Sequence, residues 1–116
     1  MSQPPIDQAV LQALEATTDA DFARELVQTY LEDSESLLER LRLAGRAKSA
    51  ADLRLAAHAL KSSSATVGAA GVSRMAKELE AQAKAGQIGG SEAALAGLET
   101  EFARAREALE AWSHGE

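Results

Sequence analysis

The sequence predicts an all-α fold, an antiparallel up-down four-helix bundle with a short additional N-terminal helix. About a fifth of the 116 residues are Ala, and other strong helix formers such as Leu, Glu and Arg are frequent. Aromatic residues make up only 3% of the chain, and β-branched residues are sparse, which disfavours strands. Apolar residues recur with helical spacing in five segments, and the short connections between them favour antiparallel neighbours. The length suits a single domain over residues 1–116.

The first helix is expected over roughly residues 5–15, with Pro5 in its first turn. Its apolar positions are Ile6, Val10, Ala13 and Leu14. The second helix follows the N-cap candidates Thr17, Thr18 and Asp19, since Asp21 lies three residues after Thr18 as in a capping box. Its apolar positions are Phe22, Leu26, Tyr30, Leu37 and Leu41. The pattern continues to about Leu43, and Gly45 is expected to end this helix.

The third helix is predicted to open at Ser49, which forms a capping pattern with Asp52. Its apolar stripe consists of Leu53, Ala56, Ala57, Leu60, Ser64 and Val67. These six positions fall within an arc of about 100° on the helical wheel, so they form a face that packs against the core.

Two further helices complete the predicted bundle. A tight turn bracketed by Gly68 and Gly71 leads into the fourth helix, which stops near Gly86. Its stripe consists of Val72, Met75, Ala76, Leu79 and Ala83. Ser91 is expected to cap the last helix, which carries the longest apolar seam. That seam consists of Leu95, Leu98, Phe102, Ala105, Leu109 and Trp112.

Charge and cysteine content exclude several function classes. The net charge of −6 without a basic block argues against nucleic acid and anionic membranes as partners. No apolar run approaches the ~18 residues of a membrane span, and the N-terminus lacks signal-peptide features, so we expect a cytoplasmic protein. The absence of Cys excludes disulfide scaffolds, thiolate metal sites and cysteine nucleophiles. The two histidines, His58 and His114, are far apart in sequence, so we expect no bound metal or cofactor.

The most informative residue is His58, in the middle of the third predicted helix. It falls about 150° from the centre of the apolar stripe, so the ring should point to solvent. The same outward face carries Ala51, Arg54, Leu55, Lys61, Ser62 and Ala65. Most of these neighbours are small, which leaves the imidazole accessible to a bulky partner. Lys61, one turn further along, would favour an anion on the ring.

Glu80 is predicted to lie level with His58. If the turn between the third and fourth helices centres on residue 69, the two residues are equidistant from it. Glu80 flanks the apolar stripe of its own helix, so its carboxylate could accept a hydrogen bond from one ring nitrogen and leave the other free. From these patterns alone, a solvated surface histidine in a non-catalytic helical adaptor bundle remains the alternative interpretation.

The segment from His58 to Gly68, HALKSSSATVG, resembles the signature of histidine-containing phosphotransfer (HPt) domains. That signature has a His, a Lys three residues later, small residues next, and a Gly ten residues after the His. The pair Leu79-Glu80 is also similar to the family, which often has Gln or Glu in contact with the His. The resemblance covers most of the chain. This sequence departs from it at Ser62, where the family usually has Gly.

The resemblance implies a phosphorelay intermediate. His58 would accept a phosphoryl group from a receiver-domain aspartate and pass it to another receiver. Lys61 would offset phosphoryl charge, and Glu80 would orient the ring. The expected docking face comprises Ala51, Arg54, Leu55, Ser62 and Ala65, with the adjoining N-terminal helix.

The implied partners are response-regulator receiver domains and a hybrid histidine kinase, with Mg²⁺ supplied by the receiver. The sequence contains no recognisable nucleotide site, so we expect a monomeric phosphoryl carrier rather than an enzyme with its own kinase activity. An alternative within the same resemblance is the phospho-accepting domain of a chemotaxis-type histidine kinase.

Overall fold

The computed structural model describes residues 3–115 and contains five helices. They are α1 (Gln8–Thr17), α2 (Ala20–Arg46), α3 (Ala50–Thr66), α4 (Ala70–Lys84) and α5 (Ser91–Ser113). Within residues 3–115 there is no strand. Helix α2 packs against α3 and α5, and α4 packs against the same two helices, so the four long helices form a closed bundle. Helix α1 packs on α2, and the predicted fold class is confirmed.

One continuous core occupies the centre of this bundle. It draws on the predicted stripes of α3, α4 and α5. In α2 the prediction was partly wrong, because only Tyr30 and Leu41 of its predicted stripe are buried and Phe22 is 45% exposed. Its fully buried members include Leu41, Leu53, Leu60, Val72, Leu98 and Leu109. A polar pair crosses the core, because the Tyr30 hydroxyl lies 2.8 Å from Ser64 Oγ, and both side chains are buried. The Tyr30 ring also meets Phe102 edge to face, with the ring centroids 6.1 Å apart.

Side-chain caps decide where the first three helices begin. Asp7 caps α1 by accepting a hydrogen bond from Ala9 N, so that helix starts three residues later than Pro5 suggests. Asp19, rather than Thr18, caps α2, because its carboxylate accepts from Phe22 N at 2.8 Å. Ser49 caps α3 as predicted, through a bond from Asp52 N to Ser49 Oγ.

Helix α2 ends one residue beyond Gly45, contrary to the prediction. The residue in the left-handed conformation is Lys48, with φ of 56°. Ser49 N donates to Ala44 O and Lys48 N donates to Gly45 O, which is the Schellman pattern of a helix C-terminus. Gly45 therefore lies inside the last turn, and a lysine takes the position that glycine usually occupies.

The turn between α3 and α4 depends on Gly68. Its φ of 78° is left-handed, and a Cβ at this position would lie 2.7 Å from Asp7 O and 3.0 Å from Val10 Cβ. Asp7 N in turn donates to Gly68 O at 2.7 Å. The N-terminal segment and α1 therefore rest directly on this turn, ten residues after His58. Gly71, predicted to bracket the same turn, lies inside α4.

The last two helices follow the predicted pattern with one change. Helix α4 ends at Lys84, and Gly86 follows in a left-handed conformation with φ of 76°. Gly90 occupies the N-cap of α5, so Ser91 is the first residue of the helix and not its cap. Among the helices of residues 3–115, none is both long and apolar enough to cross a lipid bilayer.

Candidate functional site

Helix α3 presents His58 on the side opposite to the residues that it buries. The buried residues of α3 are Leu53, Ala56, Ala57, Leu60 and Ser64. The His58 side chain keeps 59% of its surface exposed, although it lies near the middle of a 17-residue helix. This is the outward placement that the helical periodicity predicts. The imidazole is therefore a titratable group on a rigid element, open to a large partner.

Glu80 of α4 contacts one nitrogen of the imidazole ring. His58 Nδ1 lies 2.7 Å from Glu80 Oε2, a hydrogen bond between the two helices. The Glu80 side chain is only 20% exposed, because it reaches from α4 to side chains of α3. The equal distances of both residues from the turn predicted this contact. Whether it orients the ring for chemistry stays a prediction.

The charge of Glu80 decides whether His58 Nδ1 or the Glu80 carboxyl group carries the proton of their hydrogen bond. The hydrogen bond from the Lys61 ammonium lowers the pKa of Glu80 below its usual value; the His58 hydrogen bond acts the same way, and partial burial opposes both. Glu80 is therefore a carboxylate at neutral pH. A carboxylate only accepts hydrogen bonds, so His58 Nδ1–H is the donor. In the neutral form of the ring, the other nitrogen, Nε2, then carries a free lone pair.

Lys61 contacts the second oxygen of the same carboxylate. Its Nζ lies 2.8 Å from Glu80 Oε1, and its side chain is 29% exposed. The sequence analysis placed Lys61 beside His58 but did not predict this ion pair. The backbone of Lys61 is also tied to α4, because Ser73 Oγ donates to Lys61 O at 3.0 Å. The structure therefore brings His58, Lys61 and Glu80 together around one carboxylate.

All five residues predicted to line the docking face are exposed: Ala51, Arg54, Leu55, Ser62 and Ala65. Among residues 3–115, Leu55 is the most exposed of the large apolar side chains, at 63%. Two exposed groups, the Arg54 guanidinium and the Ser62 hydroxyl, lie one turn before and one turn after His58. The surface around the ring is thus mainly small and apolar with one cation, and its role in docking stays a prediction.

A groove between α2 and α3 adjoins this face and was not predicted. It encloses about 430 Å³ and contains a second exposed leucine, Leu43, opposite Leu55. Its lining residues are Leu37, Arg40, Leu43, Ala44, Ala47, Asp52, Leu55, Ala56 and Ala59. The sequence does indicate this groove, because α2 and α3 each carry a leucine outside the buried stripe, Leu43 and Leu55.

In the part of the chain that the structure describes, no group of three or more His, Asp or Glu side chains is placed to hold a metal ion. His58 and Lys61 both engage Glu80 instead.

The chain is similar to proteins of one known family. The sequence profile of the Hpt domain family matches residues 25–108. The crystal structure of histidine-containing phosphotransfer protein B (HptB) from Pseudomonas aeruginosa PAO1 superposes with a TM-score of 0.93 at 32% sequence identity, over 99% of each chain. None of the curated protein sequences matches the chain significantly. The profile match spans most of the chain and includes His58, Lys61 and Glu80, so the chain belongs to the Hpt domain family.

Proposed function

We propose that this protein carries phosphoryl groups in a phosphorelay on Nε2 of His58. The observation that carries the proposal is the exposed imidazole whose Nδ1–H is bound by an ionised Glu80, at 2.7 Å. This bond selects the tautomer with a lone pair on Nε2, in a side chain that is 59% exposed. A neutral imidazole held in this way is a nucleophile at neutral pH.

The proposed reaction transfers a phosphoryl group from an aspartyl phosphate on a receiver domain. The Nε2 lone pair attacks phosphorus in line and forms an N–P bond. The P–O bond to the aspartate breaks, and the aspartate carboxylate leaves with the electron pair. Nδ1 keeps its proton, so positive charge develops on the ring and is balanced by Glu80. The reverse sequence delivers the group to an aspartate on another receiver.

The surface around His58 supports docking of a receiver domain. The exposed leucines Leu43 and Leu55 supply apolar area, and the small residues around the ring permit close approach. Arg40 and Arg54 add positive charge, which suits a partner that carries a phosphorylated aspartate. Helix α1 and the α3–α4 turn extend this face at one end. Ser62 adds a hydroxymethyl group where the family usually has Gly, so the approach to the ring is tighter here.

We propose a monomeric, cytoplasmic carrier that depends on its partners for the rest of the chemistry. The receiver, alone or within a hybrid histidine kinase, would supply the aspartate and the Mg²⁺. The acidic balance of the chain, with a net charge of −6, supports protein partners rather than nucleic acid or membranes. The proposal includes no kinase activity of its own, because the site offers a nucleophile but no recognisable nucleotide-binding motif.

The test is phosphate uptake on His58. The protein is incubated with a panel of phosphorylated receiver domains, and acid-labile phosphate is measured by intact-protein mass spectrometry. We expect His58→Gln to abolish uptake without changing helicity, because the ring is exposed. His114→Gln is the matched control and should behave as wild type. Labelling that persists in the His58 variant, or uptake from none of the receivers, would overturn the proposal and favour a non-catalytic adaptor bundle.

A further inference from the structure

The Glu80 carboxylate has two partners on α3, an imidazole and an ammonium. Oε2 accepts from Nδ1–H of His58, and Oε1 pairs with the Lys61 ammonium at 2.8 Å. Both oxygens are therefore occupied in the unphosphorylated protein. The ammonium that would offset phosphoryl charge is already held by another anion.

Phosphorylation of His58 changes this distribution of charge. Before the reaction, in the neutral form of the ring that has a lone pair on Nε2, Glu80 has one fully charged partner, Lys61. After the N–P bond forms, the ring that retains Nδ1–H is positive and the attached phosphoryl group carries negative charge. Glu80 then has a cation at Oε2, while Lys61 has a second anion within reach of its flexible four-carbon side chain.

We propose that Glu80 acts as an exchangeable counter-ion, which holds Lys61 in the resting protein and releases it to the phosphoryl group when His58 is phosphorylated. This inference rests on the proposed function, since it requires a phosphoryl group on His58. It makes Glu80 a positioning residue for Lys61 as well as for the ring. The bond from Ser73 Oγ to Lys61 O ties the backbone of Lys61 to α4, so the exchange requires only its side chain to move.

The exchange has a measurable consequence, because the two anions compete for Lys61. Part of the interaction between Lys61 and the phosphoryl group is offset by the loss of its ion pair with Glu80. Glu80→Gln retains an oxygen that can accept from Nδ1–H but removes the competing charge. The rate of phosphorylation should therefore depend more strongly on Lys61 in the Glu80→Gln background than in the wild type.

A double-mutant cycle measures this dependence directly. The phosphorylation rate of His58 is measured with phosphoramidate as donor in wild type, Lys61→Ala, Glu80→Gln and the double variant. Since a partly exposed ion pair contributes modestly, we expect Lys61→Ala to slow phosphorylation by about two- to fivefold more in the Glu80→Gln background than in the wild type. Glu78→Gln and Lys84→Ala, exposed residues of α4, are the matched controls and should leave the rates unchanged. An equal or smaller dependence on Lys61 would overturn the inference.

Lysine side-chain NMR supplies a readout that does not depend on rate. The Lys61 ammonium signal, assigned by its loss in Lys61→Ala, should shift on phosphorylation of the wild type. Glu80→Gln should shift the same signal without phosphate, whereas Glu78→Gln should not. A Lys61 signal that is unchanged by phosphorylation would contradict the exchange.

The two proposals fail in distinguishable ways. If phosphoramidate phosphorylates His58 with the expected dependence but receivers do not, the phosphorelay role is wrong and the counter-ion exchange stands. If receivers phosphorylate His58 and the cycle shows no coupling, only the exchange is wrong. Absence of His58 phosphorylation from either donor would overturn both.

Discussion

Replacement of Gly68 by Ala should destabilise the protein more than the same replacement at Gly86. Both glycines are left-handed, with φ of 78° and 76°, so an L side chain costs roughly 1–2 kcal/mol at either position. They differ in their surroundings. A Cβ on Gly68 would lie 2.7 Å from Asp7 O, whereas one on Gly86 would have no atom of residues 3–115 within 4 Å.

The steric contact at Gly68 adds a second cost. Asp7 can move away only by weakening its own hydrogen bond from N to Gly68 O, a net contribution of about 1 kcal/mol. We therefore expect a loss of about 2–3 kcal/mol for Gly68→Ala and about 1–2 kcal/mol for Gly86→Ala. For a domain of this size, each 1 kcal/mol lowers the Tm by roughly 4 °C.

Urea denaturation followed by far-UV circular dichroism measures both free energies of unfolding. Hydrogen exchange adds a local readout, because only Gly68→Ala should increase exchange of the amides in α1. Equal losses at the two glycines, with α1 unaffected, would refute the argument that Gly68 is required by the close approach of the N-terminal segment.

Three further predictions concern the core, the ion pair and the docking face. Tyr30→Phe should cost about 1–2 kcal/mol in urea denaturation because it leaves Ser64 Oγ without its partner, and adding Ser64→Ala should recover part of that loss. The pKa of Glu80 is lowered in the folded state, so the carboxylate should stabilise the fold above the usual pKa of 4.5, and this stabilisation should be lost as the pH falls through the lower folded pKa. Thermal melts of Glu80→Gln should lack this part of the acid dependence, whereas melts of Glu78→Gln should retain it. Leu55→Ser should change the free energy of unfolding by less than about 0.5 kcal/mol but raise the receiver concentration needed for half-maximal transfer; unchanged concentration dependence would remove Leu55 from the interface.

The stripes of α3, α4 and α5 could be predicted from sequence because each depends only on residues within one helix. In α2 the apolar residues come in adjacent pairs, such as Leu26 with Val27 and Leu37 with Leu38, and the structure buries the second residue of each of these pairs, which the prediction did not choose.

The residues at which the helices begin and end were harder to predict. Gly45 is typical of a helix C-terminus, yet the helix continues to Arg46 and Lys48 adopts the left-handed conformation. Thr18 and Asp19 are both N-cap residues by type, and only the geometry of the entering chain shows that Asp19 accepts from Phe22 N. Such choices depend on local backbone conformations with small energy differences.

Those contacts of the candidate site that depend only on the sequence distance of a residue from a turn could be predicted. The pairing of His58 with Glu80 follows from their equal distances to the turn between two antiparallel helices. The ion pair between Lys61 and the same carboxylate does not, because it depends on the side-chain conformation of Glu80. The groove beside Leu55 also depends on how α2 and α3 cross. These features require the packed structure and not the pattern of either helix alone.

In the proposed function, the orientation of α3 would allow partner choice and folding stability to vary independently. The residues that hold this helix in the core lie on one side, and those around His58 lie on the other. If these residues contact the receiver as proposed, a substitution at Ala51, Leu55 or Ser62 would alter which receiver fits without creating a cavity or burying a polar group. Paralogous carriers could diverge in specificity by single surface changes while retaining the same scaffold. The His58 ring would keep its height and orientation in all of them, because Glu80 of α4 accepts the hydrogen bond from its Nδ1–H.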